Sequence, residues 1–132
     1  MTTRTPPALA GVHVLVVDDD DDSRSMLRAF LSHHGALVTV AADAVEALAA
    51  LHRAKVHLIV SDLSMPGIDG LELLLRVRTL PGELHAPTPA IALTAFDSVA
   101  YRRRALDAGF DGYLTKPFDS EALVRAIVRL CR

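Results

Sequence analysis

Five side chains in this sequence are of types that could do chemistry together: the adjacent acids Asp18 and Asp19, the lone acid Asp62, the hydroxyl of Thr94 and the amine of Lys116. Each stands at the end of a short apolar run. Carboxylates brought within a few ångströms repel and raise one another's pKa unless a cation neutralises them. An oxygen-only donor set suits a hard ion such as Mg²⁺, which takes one or two carboxylates and keeps several waters. A lysine adds a point charge able to hold a phosphoryl oxygen, and a threonine offers a hydroxyl donor. The implied reaction is phosphoryl transfer onto a carboxylate, with Asp62 as nucleophile and an acyl phosphate as product. Taken alone, Asp62 is ambiguous, because an Asp ahead of Met65-Pro66-Gly67 could equally start a turn or cap a helix.

Whether these groups meet depends on the elements that carry them. The runs 12–17, 37–41, 58–61, 90–94 and 112–115 are apolar and partly β-branched, as in strands buried on both faces of a parallel sheet. Between them lie helical patterns. Leu27, Phe30, Leu31 and His34 mark one apolar face, with Gly35 as its stop. Asp43 with Glu46 reads as a capping box ahead of the face Val45, Leu48 and Ala49, and Asp69 with Glu72 repeats it ahead of Leu73, Leu74 and Val77. A helix opened by Asp97 or Ser98 and closed by Gly109 has a thin apolar stripe and should pack loosely. The last helix, capped by Asp119 or Ser120, turns Leu123, Ala126, Ile127 and Leu130 inward. The segment 79–89, with three prolines, reads as a long loop. Five strands alternating with five helices predict an α/β fold, a parallel sheet with helices on both faces and its chemistry at the carboxyl ends of the strands.

Composition narrows the class. The 132 residues suffice for one domain that buries roughly two thirds of its unfolded surface. Residues 1–10 read as a flexible tail or linker and 11–132 as the domain. A net charge of −2 argues against direct nucleic-acid binding, and no apolar run is long enough for membrane insertion. The single cysteine, Cys131, allows no internal disulfide and suits a cytoplasmic location. The six histidines (13, 33, 34, 52, 57 and 85) show no metal-ligand spacing and read as surface or core filler. Asp20, Asp21 and Asp22 read as solvated caps, and Arg102, Arg103 and Arg104 as the wet face of a helix.

With the motifs Val-Val-Asp-Asp ending at Asp19, Ser-Asp-Leu-Ser-Met-Pro-Gly around Asp62, Leu-Thr-Ala at 93–95 and Tyr-Leu-Thr-Lys-Pro-Phe at 113–118, the chain resembles the receiver domains of two-component response regulators. The resemblance spans about Gly11 to Leu130. It implies a flavodoxin-like receiver fold with strand order 2-1-3-4-5. It also implies Asp62 as phosphorylation site, and Mg²⁺ or Mn²⁺ held by Asp18, Asp19, Asp62 and the backbone carbonyl of Ser64. Thr94 and Tyr113 become the switch pair, Lys116 the phosphoryl contact, and Lys116-Pro117 a cis bond. The donor would be a histidine kinase or phosphotransfer protein, as for receivers attached to hybrid kinases. A downstream protein would read the face of the fourth helix, fifth strand and fifth helix, with room for a phosphorylation-dependent dimer. Such a chain is no enzyme beyond its own Mg²⁺-dependent phosphorylation and dephosphorylation.

Some positions depart from the family pattern. Asp21 stands where many relatives have proline, leaving five consecutive aspartates. Ser64 and Phe96 fall where relatives tune the lifetime of the phosphoryl group, and bulky Phe96 is expected to slow its loss. A flavin carrier on the same fold would need a Gly/Ser/Thr-rich phosphate cradle after the first strand, where the aspartates would repel phosphate. An aspartyl phosphohydrolase would need an Asp-x-Asp motif whose surroundings are missing around Asp18 and Asp20. The alternative of a receiver-like interaction module that is never phosphorylated would be signalled by loss of the acceptor, the acid pair or the lysine, and none is lost.

Overall fold

The computed structural model describes residues 7–64, 67, 69–79, 88–95 and 98–131. Strands and helices alternate as β1 (His13–Val17), α1 (Asp21–His33), β2 (Leu37–Ala41), α2 (Ala44–Arg53), β3 (Leu58–Ser61), α3 (Gly70–Arg78), β4 (Ala90–Thr94), α4 (Val99–Ala108), β5 (Gly112–Thr115) and α5 (Ser120–Leu130). The strands form one parallel sheet in the order β2-β1-β3-β4-β5. β3 and β4 are buried along their whole length, and β1 is buried after its first residue. β2 and β5, at the edges, are only partly covered.

Because strand side chains alternate, each central strand feeds two cores. Leu15, Val17, Ile59, Ala90 and Ala92 pack with the buried faces of α2, α3 and α4. Val14, Val16, Leu58, Val60, Ile91 and Leu93 pack with Leu27 and Leu31 of α1 and Leu123 and Ile127 of α5. This two-sided burial leaves the strand ends as the place for polar groups.

Helix starts follow the sequence signals. Asp43, Asp69, Ser98 and Asp119 cap α2, α3, α4 and α5, and Asp20 caps α1 by accepting the Ser23 amide. The Lys116-Pro117 bond is cis. Gly35 and Gly109, the expected helix stops, have φ of +96° and +111°.

Two expectations are corrected, and one further residue bears on a third. The inward face of α2 is Ala44, Ala47, Ala50 and Leu51, whereas Val45 is 71% exposed and Ala49 also faces out. Alanines let this helix sit close to the sheet, so the bulkier Val45 points away. His13 is no filler: its amide donates to His57 Nδ1 at 2.9 Å, and its ring meets the Lys55 carbonyl at 2.8 Å and Thr39 Oγ1 at 2.7 Å. These bonds tie β1 to β2 and to the segment before β3. Leu9, on the tail side of the expected boundary, is fully buried in the α1–α5 core, and its amide donates to His34 O at 2.8 Å.

Candidate functional site

Parallel pairing continues one residue beyond three of the strands and so fixes the backbone of the polar groups. The amides of Asp18, Asp62 and Lys116 donate to the carbonyls of Ala41, Val17 and Thr94 at 3.1, 2.9 and 2.7 Å. Asp18, Asp62 and Lys116 therefore emerge from β1, β3 and β5 at the carboxyl edge, where open α/β sheets carry ligand sites.

There the side chains converge. Asp18, Asp19 and Asp62 each offer a carboxylate oxygen, and these atoms all lie within 4.8 Å of one another. Lys116 Nζ bridges two of the acids, at 3.0 Å from Asp18 Oδ2 and 3.1 Å from Asp62 Oδ2. The remaining carboxylate oxygens are also engaged: Asp18 Oδ1 accepts the Asp20 amide and Asp62 Oδ1 accepts the Ser64 amide, both at 3.0 Å. Asp18 is 1% exposed, so this full set of partners is what permits a carboxylate to lie there. Asp19 is exposed.

Lys116 acts as the counter-ion of the cluster. Burial pulls its pKa down, but the hydrogen bonds and charges of Asp18 and Asp62 outweigh that, so the net shift is upward. An oxygen-only set of three carboxylates fits a hard divalent cation. Such an ion would compete with the lysine ammonium for the same oxygens.

Thr94 is fully buried at the end of β4. Tyr113 on β5 pairs in register with Ala92, two residues before Thr94, so both switch candidates lie on the same face of adjoining strands. The ring of Tyr113 is half-buried against the α2–α4 core. Arg102 stacks its guanidinium 4.9 Å from the centre of that ring, and Arg104 lies 5.4 Å from the ring of Tyr101. Two of the three arginines read as a wet face thus have aromatic partners. Met65, Pro66, Phe96, Asp97, His85 and most of the 79–89 loop lie outside the described residues.

Two site-forming residues escaped the sequence reading. Arg24 on α1 donates from Nη1 to the backbone carbonyl of Asp18 at 2.8 Å and pairs through Nη2 with Asp21. Its only trace in the sequence is the i, i+3 spacing to Asp21. Gly70, the first residue of α3, packs directly against the backbone of Asp62 and Leu63. Its amide donates to Leu63 O at 3.0 Å.

A five-stranded parallel sheet in this order, with three acids and a lysine at its carboxyl edge, defines a class of α/β domains whose polar site lies at the strand ends and suits a hard cation. Within that class, the family model for the response regulator receiver domain matches residues 14–128. An uncharacterized 14.6 kDa protein of Leptolyngbya boryana is 51% identical over 124 residues, covering 93% of this chain and 92% of that one. The response regulator MprA of Mycobacterium sp. strain KMS is 43% identical over 121 residues, which cover 92% of this chain and 51% of MprA. The chain thus spans about half the length of that relative. Among solved structures, chemotaxis protein CheY4 of Vibrio cholerae superposes with a TM-score of 0.85 at 35% identity, over 92% of this chain and 99% of that one. The receiver domain of the Pseudomonas aeruginosa sensor histidine kinase PA1611, with a magnesium ion coordinated in its active site cleft, gives 0.83 at 32%, over 92% and 98%. The Saccharomyces cerevisiae co-crystal structure of the phosphotransfer protein Ypd1 and the Ssk1 receiver domain gives 0.84 at 30%, over 93% and 90%. The chain belongs to the response regulator receiver domain family, and is a receiver domain of two-component signalling.

Proposed function

We propose that Asp62 is the phosphoryl acceptor of this receiver, charged by a phosphohistidine on a histidine kinase or phosphotransfer protein. The observation that carries this reading is the convergence of three acids, with oxygens within 4.8 Å, under a single bridging lysine. An Asp62 oxygen attacks phosphorus, the P–N bond to the donor imidazole breaks, and its electron pair returns to the ring nitrogen. Asp18, Asp19, Asp62 and the Ser64 carbonyl would hold Mg²⁺ or Mn²⁺, which would offset charge on the transferring group. Lys116 leaves its carboxylate partners for a phosphoryl oxygen, and Thr94 donates its hydroxyl to another. Water attack on the same acyl phosphate later resets the domain, so the chain processes its own phosphoryl group and no external substrate.

The phosphoryl group adds about one and a half to two negative charges. Complete switching requires about 5 kcal/mol of differential stabilisation. We assign that to Thr94 and Tyr113, and through them to the face of α4, β5 and α5, where a downstream protein or a second copy would dock. The PA1611 and Ssk1 neighbours, one from a sensor kinase and one crystallised with a phosphotransfer protein, support the donor class. Among the described residues no helix is long and apolar enough to cross a membrane, in keeping with a cytoplasmic setting. The burial of Leu9 supports placing the start of the packed domain near Pro7.

Phosphoramidate, which also carries a P–N bond, tests the assignment. With Mg²⁺ the wild-type chain should gain one phosphoryl group by intact mass, and should gain none in excess EDTA or as Asp62→Asn. Equal labelling of Asp62→Asn would refute the site.

A further inference from the structure

We infer that Arg24 is a positioning residue for the proposed cation site, setting the direction of Asp19. This rests on the reading of Asp18, Asp19 and Asp62 as ligands. The β1–α1 connection is only three residues long, Asp18 to Asp20. Lys116 and the Asp20 amide hold the Asp18 carboxylate. The Asp62 carboxylate is held by Lys116 and the Ser64 amide. Among the described residues, no hydrogen bond or ion pair holds the Asp19 carboxylate, so its aim is set by the peptide that carries it. The oxygen of that peptide is the Asp18 carbonyl, and Arg24 Nη1 donates to it at 2.8 Å.

The arginine is itself immobilised. Its Nη2 pairs with Asp21, its own amide donates to Asp20 O at 3.0 Å, and its side chain is only 18% exposed. One planar guanidinium thus spans the carbonyl before Asp19 and a carboxylate after it, locking the connection from outside. A lysine keeps the charge but presents a compact ammonium without the rigid fork. The distinction matters because a nearby positive charge, taken alone, opposes cation binding. Any loss of affinity on substitution at constant charge therefore reports geometry.

The experiment is a Mg²⁺ titration of the full chain, followed by two-dimensional amide NMR, in wild type, Arg24→Lys, Asp19→Asn and the double variant. Outer-shell partners of metal ligands typically contribute 10- to 100-fold, so Arg24→Lys should raise the Kd about 10-fold. If Arg24 acts through Asp19, the same substitution should add less than about twofold once Asp19 is Asn. The Asp19 and Asp20 amide resonances of the metal-free protein should shift in Arg24→Lys. An unchanged Kd would overturn the inference, even if the melting temperature fell. So would an equal loss in both backgrounds, which would mark a general structural role. Failure of the wild type to bind Mg²⁺ at all would instead remove the cation reading, and the inference with it.

Discussion

Replacing Gly70 with alanine should damage the site from behind. A Cβ at this position would lie 2.3 Å from the Asp62 carbonyl oxygen, 2.9 Å from Leu63 Cα and 3.1 Å from the Asp62 carbonyl carbon. The closest contact is about 0.7 Å shorter than Cβ atoms tolerate, and all three atoms are backbone, which cannot rotate away. Two effects oppose each other. Alanine is a better helix former than glycine by up to about 1 kcal/mol, less at a first helical position. Overpacking of this kind costs about 1–3 kcal/mol, toward the upper end when backbone must move. The net expectation is a loss of about 1–2 kcal/mol, seen as a melting temperature lower by roughly 4–8 °C. Chemistry should suffer more than stability, because a misplacement near 1 Å can cost as much as about 100-fold in rate. Urea denaturation and the rate of Mg²⁺-dependent phosphorylation by acetyl phosphate measure the two effects separately. A Gly70→Ala variant with wild-type stability and rate would refute the claim that α3 abuts the Asp62 backbone.

Lys116→Met leaves Asp18 and Asp62 without their counter-ion, so the metal-free protein should lose about 3 kcal/mol, and Mg²⁺ should raise its melting temperature more than that of wild type. Because Lys116 is held protonated above its usual range, this contribution is present at neutral pH and is lost only as pH rises through the raised pKa; a urea midpoint that falls on alkaline titration in wild type but not in Lys116→Met checks the sign. Leu9→Ala should cost about 2 kcal/mol in urea, since the side chain is fully buried; no change would return residues 7–10 to the tail. Burial pushes the Cys131 thiol up, so iodoacetamide at pH 8 should alkylate the native chain more slowly than the urea-unfolded chain.

Most of the fold was legible because its signals are local. Strands two to five fall on the predicted residues, and the caps at Asp43, Asp69, Ser98 and Asp119 are where a short polar side chain precedes a helical run. Where hydropathy contrast is low, the pattern misleads. In Ala44–Arg53 the most apolar short residue, Val45, faces water, because alanines make the close contact with the sheet. Leu9 stands in a proline-containing stretch with no periodicity, so nothing in the sequence marks it as core.

The acids and the lysine could be picked out because each ends an apolar run, and parallel topology brings such ends together. Arg24 could not. Its partner is a backbone carbonyl, which has no letter in the sequence, and its reach depends on how α1 turns away from the sheet. Arg102 was hidden in the same way, since its stacking on Tyr113 joins α4 to β5 through space.

Trapping the acyl phosphate tests the central claim most directly. The wild-type chain, phosphorylated with acetyl phosphate and Mg²⁺ and then reduced with borohydride, should yield homoserine at position 62 alone on peptide mass mapping. Homoserine at position 18 or 19, or a phosphoryl group that survives borohydride elsewhere in the chain, would contradict it.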